Sequence, residues 1–223
     1  MTPAELEGTL KWFKKDKSLG LDGWSIEFYL EFYNLLGQDL LNVVKESKTI
    51  GKLYDAINST FVALIPKTDS PSYFNDFHPI SLCICLYKII SKSIDNRIRP
   101  ILSHYISLEQ LSFLENRQIH EEIGTAQEVI HSIRSNKLKG IILKIDLAKA
   151  FDRVSSLYIK MPLIHLGFLY LFTTWITSCI TIASFNVLIN GFSSHFFMLK
   201  GDSDKVSLYP PSFSSLSWKE LVD

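Results

Sequence analysis

The sequence has 223 residues, of which 47% are hydrophobic, with 23 Lys and Arg against 23 Asp and Glu. This length provides a core for one or two compact units. Because the net charge is zero, nucleic-acid binding can be argued only from local basic clusters. The three cysteines, Cys83, Cys85 and Cys179, form no CxxC pair, which fits a reducing compartment and argues against a disulfide scaffold or a zinc module.

The N-terminal part predicts two helices separated by a turn-rich loop. The pattern indicates a helix over residues 4–15 and a loop over residues 18–23. Ser25 is placed to cap a second helix, since its hydroxyl can accept from a first-turn N–H. Residues 1–7 have neither a basic start nor an apolar run, so we expect no signal peptide.

A strand and an amphipathic helix come next. Residues 60–65 predict a strand that Pro66 ends. Residues 86–101 predict a helix with isoleucines on one face. The opposite face carries one acidic and three basic residues, which indicates either ordinary solvation or a phosphate-facing stripe. These residues are Lys88, Lys92, Asp95 and Arg99. A further amphipathic helix is predicted over residues 119–133.

The run at 144–154 (K-I-D-L-A-K-A-F-D-R-V) is the most informative stretch of the chain. Residues 140–143 are apolar and predict a short buried strand that leads to Asp146, with Phe151 five residues later. Two interpretations stay open. Asp146 is either the first metal ligand of a magnesium-dependent nucleotidyl transferase or a helix-capping residue at the end of a strand.

Two features mark the C-terminal part. Residues 166–183 are largely apolar, which indicates either a buried helix running into a buried strand at 184–189 or, less simply, a single membrane span. The final 23 residues contain six serines and two prolines. With little periodicity, residues 201–223 are expected to be disordered.

Six sequence blocks in one order resemble the reverse transcriptase domain of plant-type non-LTR (LINE-like) retrotransposons. They are D-K-S-L-G-L-D-G (16–23); L-I-P-K (64–67) with D-F-H-P-I-S-L (76–82); Y-K-I-I-S-K (87–92) with Asn96 and Arg97; Gln110, Phe113, Arg117 and Ile119; the run 144–154; and Asn190 with Gly191. The resemblance covers roughly residues 8–201.

This resemblance implies an α+β fold of the right-hand polymerase type. Residues 1–135 would form a fingers-like helical region, and residues 136–200 a partial palm sheet with the first catalytic motif. The implied activity is RNA-directed DNA synthesis, with an RNA template, a DNA primer and deoxynucleoside triphosphates as partners. A nuclear or cytoplasmic location and no membrane association are expected.

The resemblance also implies roles for individual residues. Asp146 would bind two Mg²⁺ ions, with the backbone carbonyl of Leu147 completing one coordination sphere. Phe151 would exclude a ribose 2′-hydroxyl. Lys67 would neutralise triphosphate charge. Two arginines are candidates for template-backbone contacts, with an ordinary ion pair as an equal alternative: Arg97 and Arg117.

The chain departs from the family pattern at several positions. Leu19 replaces a proline, His78 an arginine and Asn116 a glycine. A neutral imidazole cannot bind oxygen anions in the bidentate manner of a guanidinium. No Y-x-D-D motif follows Asp146, and one carboxylate cannot hold two divalent ions. We therefore predict that this chain is inactive, and a residual RNA-binding module is the alternative.

The divergent tail has a possible genetic origin. When residues 201–213 are read one base earlier, degenerate codons permit G-F-R-Q-G-V-P-L-S-P-F, which matches the family's continuation. We interpret the tail as a one-base frameshift in a decayed element. The DNA sequence tests this interpretation directly.

Overall fold

The computed structural model describes residues 1–15, 17–107, 119–143, 155–181, 183–189 and 192–198. The helices in these ranges are α1 (Pro3–Trp12), α2 (Ile26–Glu31), α3 (Tyr33–Ile50), α4 (Cys85–Tyr105), α5 (Ile119–Ser135), α6 (Ser156–His165) and α7 (Tyr170–Thr181). The strands are β1 (Ser59–Pro66), β2 (Phe77–Cys83), β3 (Ser184–Ile189), β4 (Phe192–Ser193) and β5 (Phe197–Met198). The fold has mixed α and β content, as expected.

Side-chain caps define the starts of the first two helices. The Thr2 hydroxyl accepts from Glu5 N at 3.2 Å, and Glu5 Oε2 accepts in return from Thr2 N at 2.8 Å. This reciprocal pair satisfies two N–H groups that the helix itself leaves free. Ser25 Oγ accepts from Phe28 N at 3.2 Å, which confirms its predicted capping role. The first helix ends at Trp12 rather than at residue 15.

The loop after α1 packs tightly against the junction of β2 and α4. A Cβ on Gly20 would lie 2.6 Å from the Cys83 carbonyl oxygen and 2.5 Å from Ile84 Cα. Only glycine allows this approach, because those atoms belong to backbone that cannot rotate away. Lys88 Nζ also reaches the Ser18 carbonyl oxygen at 3.5 Å. The loop therefore ties the N-terminal helices to the end of the sheet.

The sheet has the order β2-β1-β3-β4, and β5 also pairs with β3. β1 and β2 form an antiparallel hairpin whose pairing runs from Thr60 opposite Cys83 to Pro66 opposite Phe77. β3 is parallel to β1, on its other edge. β4 and β5 both run antiparallel to β3. The predicted strand at 60–65 and the predicted strand at 184–189 are both confirmed.

Helix α4 lies at the centre of the hydrophobic core. Four of its isoleucines are at most 1% exposed and pack with apolar residues of α1, α3, α6 and α7, whereas Ile101 near its end is 38% exposed. The four buried isoleucines are Ile89, Ile90, Ile94 and Ile98. Tyr87 on this helix donates to the Cys179 carbonyl oxygen of α7 at 3.2 Å. Burial of these side chains is the main stabilising contribution to such a core.

The apolar segment at 166–183 forms α7 and leads into β3. Trp175 and Cys179 are buried in the same core as α4, which confirms the buried helix-then-strand interpretation. Within the described ranges, no helix is both long and apolar enough to cross a membrane.

The predicted buried strand at 140–143 is wrong for the residues that the structure describes. These residues have no strand assignment, and Ile141, Ile142 and Leu143 are 95%, 60% and 77% exposed. An apolar, β-branched run forms a strand only when a neighbouring strand pairs with it. Among the described strands none pairs with this run.

The predicted boundary at residue 135 does not interrupt the sheet or the core. β3 pairs with β1, and the core that contains Leu6 also contains Ile180. The division into fingers and palm stays a prediction.

Candidate nucleotide and nucleic-acid site

Lys67 lies at the end of the β1–β2 hairpin that points away from α4. It follows Pro66, the last paired residue of β1, and its side chain is exposed. The Lys67 N–H donates to the Asp76 carbonyl oxygen at 2.7 Å, and its Nζ donates to the Asn75 carbonyl oxygen at 2.8 Å. The ammonium is thus held at the surface of an ordered loop, where an anion from solvent can reach it.

Asp76 organises the loop that faces Lys67. Its Oδ2 accepts from the N–H groups of Ser72 and Tyr73, both at 2.9 Å. These hydrogen bonds lower the pKa of Asp76 below its ordinary value, since they stabilise the ionised carboxylate. The loop backbone thus holds the ionised carboxylate in place, and the positive charge of Lys67 lowers the pKa of Asp76 further.

His78 is on β2, opposite Ile65, and is exposed. It replaces the arginine of the family pattern two residues beyond Asp76. Its position beside the hairpin loop means that the replacement removes a bidentate donor from the same end of the hairpin as Lys67.

The predicted polar face of α4 is neither solvated throughout nor a phosphate-facing stripe. Lys92 and Asp95 are 6% and 1% exposed. Lys92 Nζ lies 2.8 Å from Asp95 Oδ2 and 3.8 Å from the centroid of the Trp12 ring. Arg99 Nη2 contacts both oxygens of Asp95, at 3.0 and 3.1 Å. The stripe interpretation is wrong for Lys92, because a buried ammonium cannot meet a phosphate.

The spacing of these residues in the sequence indicates some of their contacts. Lys92 and Asp95 are three residues apart and Asp95 and Arg99 four, which are the separations at which helical side chains meet. The pattern therefore also predicts an ion-pair ladder within α4. The contact with Trp12 has no such local signal, since α1 and α4 are distant in the chain.

Arg97 is on α4 and pairs with Glu5 of α1. Its Nη2 lies 3.0 Å from Glu5 Oε1, and its Nη1 donates to the carbonyl oxygen and hydroxyl of Ser93, both at 2.7 Å. The Arg97 side chain is 27% exposed and that of Glu5 49%. Hydrogen bonding from the Thr2 backbone first, and then the charge of Arg97, lowers the pKa of Glu5. Arg97 and Lys67 have separate sets of partners.

The remaining predicted site residues lie outside the described residues. They are Asp146, Leu147, Phe151 and Arg117. In the part of the chain that the structure does describe, no group of three or more His, Cys, Asp or Glu side chains could hold a metal ion.

The cysteines lie in the interior rather than at a site. All three are buried and unpaired. Burial raises the pKa of Cys83 to about 11 and that of Cys85 to about 12. A thiol that stays protonated at neutral pH is neither a nucleophile nor a ready metal ligand.

Comparison with known proteins defines the family. The chain is 31% identical, over 159 residues, to the transposon TX1 uncharacterized 149 kDa protein of Xenopus laevis. The match covers 71% of this chain and 12% of the TX1 protein, so the chain spans only a small part of its relative's length. Residues 65–201 match the reverse transcriptase (RNA-dependent DNA polymerase) family, and this range includes Lys67, Arg97 and Asp146 and ends where the resemblance was expected to end. The chain therefore belongs to the reverse transcriptase family.

Proposed function

We propose that this chain is a segment of the RNA-directed DNA polymerase of a non-LTR retroelement of plant type. Residues 1–135 would form its fingers and residues 136–200 part of its palm. The family match over residues 65–201 carries this proposal, and the hairpin of β1 and β2 adds to it by placing the exposed ammonium of Lys67 at its end within that range. A surface cation on a rigid hairpin is suited to hold an incoming triphosphate.

The nucleic-acid partners are an RNA template and a DNA primer. Arg97 is one contact to the template backbone, and its partial exposure beside Glu5 leaves part of the guanidinium open to a phosphate. Arg117 is the other, on the basis of its motif alone. The buried Lys92 has no role in this contact.

The expected cofactor is Mg²⁺, held by Asp146 and the carbonyl of Leu147. Both offer oxygen donors, the class of ligand that Mg²⁺ prefers. One carboxylate is too few for the two ions that nucleotidyl transfer uses. The donor set of this chain is thus incomplete, and we derive no catalytic step from it. Phe151 would still select deoxynucleotides by excluding a 2′-hydroxyl.

The 223-residue chain on its own is therefore proposed to bind nucleotides without extending a primer. The tail after residue 200 is proposed to be a frameshifted continuation of the family sequence. Codons at 202–210 that cannot encode R-Q-G-x-P-L-S-P in the other frame would remove that part of the proposal.

Triphosphate binding by Lys67 is the direct test. A fluorescent deoxynucleoside triphosphate is titrated against the wild-type chain and Lys67→Gln, with Lys45→Gln as the control, since Lys45 is an exposed lysine on α3. Loss of a charge-assisted hydrogen bond predicts about tenfold weaker binding for Lys67→Gln only. Equal affinity of both variants and wild type would contradict the role of Lys67.

Primer extension provides the second test. With Mg²⁺, deoxynucleoside triphosphates and a primed RNA template, we expect no product from this chain. Extension that is lost in Asp146→Ala would overturn the predicted inactivity.

A further inference from the structure

We propose that a row of aromatic side chains along α2 binds a basic amphipathic helix of a partner protein. The row consists of Trp24, Phe28 and Phe32, and Leu35 in the first turn of α3 continues it. The ring centroids of Trp24 and Phe28 are 4.1 Å apart, and those of Phe28 and Phe32 are 5.0 Å apart. Trp24, Phe32 and Leu35 are 48%, 46% and 74% exposed. This surface is separate from the proposed nucleotide contact at Lys67 and does not depend on it.

The opposite side of α2 anchors the aromatic row to the protein. Ile26 is buried in the core, and Tyr29 and Leu30 pack against the same core. The turn before the helix is closed by the Gly23 N–H, which donates to the Gly20 carbonyl oxygen at 3.2 Å. The backbone that carries the row is therefore held on both sides of Trp24. A fixed backbone lowers the conformational entropy that a partner must remove on binding.

The chain around the aromatic row is acidic. Residues 18–44 include four carboxylates and no lysine, arginine or histidine. The four are Asp22, Glu27, Glu31 and Asp39. Lys88 of α4 reaches the start of this stretch, where its Nζ donates to the Ser18 carbonyl oxygen at 3.5 Å, but one cation cannot balance four carboxylates. A surface of this charge repels phosphates and attracts a partner that carries Lys or Arg, which favours a basic protein over nucleic acid.

The spacing of the rings matches the stripe of an amphipathic helix. Successive rings lie 4.1 and 5.0 Å apart, and one turn of a helix rises about 5.4 Å. Apolar side chains on successive turns of a partner helix can thus each meet one ring. Asp39 follows Leu35 by four residues on α3 and lies on the same side of that helix. Both Glu31 and Asp39 are exposed, so lysines beside the partner's apolar stripe would face them. An apolar patch with a polar rim is typical of a protein interface.

Model peptides of the stated chemistry provide the probe. A fluorescent peptide of about eighteen residues, long enough to form a helix, carries leucines along one stripe and lysines elsewhere. A second peptide has the same composition in scrambled order, without a stripe. A third keeps the leucine stripe and has glutamate in place of every lysine. Each peptide is titrated against the full 223-residue chain at low and at moderate salt.

The contribution of the rings is measured with W24A/F32A. Removal of two rings from the centre of an interface should weaken binding of the striped lysine peptide about 10- to 30-fold. The ring-retaining variant W24F/F32Y should bind as wild type does. So should Phe192→Ala, the control, since Phe192 is 80% exposed on β4. Circular dichroism and urea unfolding of each variant verify that it is folded.

The contribution of the carboxylates is measured with E31Q/D39N. This variant should bind the striped lysine peptide about 3- to 10-fold more weakly at low salt and by a smaller factor at moderate salt, because salt screens exposed charges. Glu128→Gln, which changes an exposed glutamate on α5, should bind as wild type does. Wild type should bind the scrambled and the glutamate peptides at least about tenfold more weakly than the striped lysine peptide.

Wild-type binding of the striped lysine peptide that is no tighter than binding of the scrambled peptide would overturn the proposal. Wild-type affinity in W24A/F32A would overturn it as well, because the peptide would then bind elsewhere on the chain. Two further measurements separate other occupants. A dimer in sedimentation that W24A/F32A abolishes would assign the row to a second copy of this chain, and weaker binding of single-stranded RNA by W24A/F32A would assign it to nucleic acid. Either result would overturn the assignment to a basic partner helix.

Discussion

The ammonium of Lys92 lies between the Asp95 carboxylate, at 2.8 Å, and the ring of Trp12, whose centroid is 3.8 Å away. This contact joins α4 to the C-terminal end of α1, where Trp12 is 60% exposed. Lys92, the last residue of the Y-K-I-I-S-K block, was a candidate phosphate contact, and these contacts show that its role is structural. A single buried carboxylate then serves two cations, because Arg99 binds Asp95 from the other side.

Asp95→Asn should be strongly destabilising. The amide leaves the ammonium of Lys92 buried without a counter-charge, and losing one partner of a buried pair costs about 3–5 kcal/mol. Lys92→Met should cost less, since Asp95 keeps Arg99 and the methionine can still pack on Trp12. The free energy of unfolding in urea measures both. Asp39→Asn, an exposed carboxylate on α3, is the control and should change stability by less than about 0.5 kcal/mol. An Asp95→Asn protein as stable as this control would show that the pair is not buried in solution.

Arg97→Gln tests the template contact that is proposed for this residue. If Arg97 meets a phosphate, the variant should bind single-stranded RNA more weakly, and the slope of log affinity against log salt should fall by about 1. Arg134→Gln, an exposed arginine on α5, is the matched control. Glu5→Gln should strengthen binding modestly, because it releases the guanidinium from its pair. If the salt slope of Arg97→Gln equals that of wild type, Arg97 does not contact a phosphate and its role is the ion pair with Glu5. Such a partly exposed pair stabilises the fold by roughly 0.2–1 kcal/mol.

Local sequence patterns predicted those helix and strand ends that depend on a few neighbouring residues. Ser25 caps α2 through its own hydroxyl, and β1 ends at Pro66, close to the predicted end of the strand. The pairing of β1 with β2, which places Lys67 at an exposed hairpin end, was not predicted. Local patterns could not predict contacts between distant parts of the chain. Neither Trp12 over Lys92 nor Glu5 beside Arg97 has a local signature, and the run at 141–143 looked like a strand because propensity does not reveal whether a pairing strand is present.

Gly20→Ala should destabilise the protein because the new Cβ would collide with neighbouring backbone atoms, not because the position requires the conformational freedom of glycine. The added Cβ would lie 2.5 to 2.6 Å from backbone atoms of Cys83 and Ile84, and overpacking of this kind costs typically about 1–3 kcal/mol. Gly8→Ala is the matched control, because a Cβ there meets nothing within 4 Å. It lies inside α1, so alanine should stabilise the protein by roughly 0.5–1 kcal/mol. Thermal unfolding of the two variants should therefore move in opposite directions, and a neutral Gly20→Ala would mean that the loop is not seated on the β2–α4 junction.

The loop around Asp76 should lose order on acidification. Hydrogen bonds from Ser72 and Tyr73 hold the pKa of Asp76 in the folded chain below 3.8. For a carboxyl with a lowered pKa, the stabilising contribution is fully present above the unfolded value and is lost as pH falls through the folded value. The protection factors of the Ser72 and Tyr73 amides, which compare each exchange rate with that of an unstructured chain at the same pH, should accordingly be high at neutral pH and fall as pH drops through the lowered pKa of Asp76, as followed by NMR. Asp76→Asn should show fast exchange at neutral pH already and weaken triphosphate binding at Lys67, whose amide donates to the Asp76 carbonyl oxygen. Asp69→Asn, in the same loop, should leave both the exchange rates and the triphosphate affinity unchanged. If the Ser72 and Tyr73 amides of Asp76→Asn exchange as slowly as those of wild type, the carboxylate is not what orders the hairpin end.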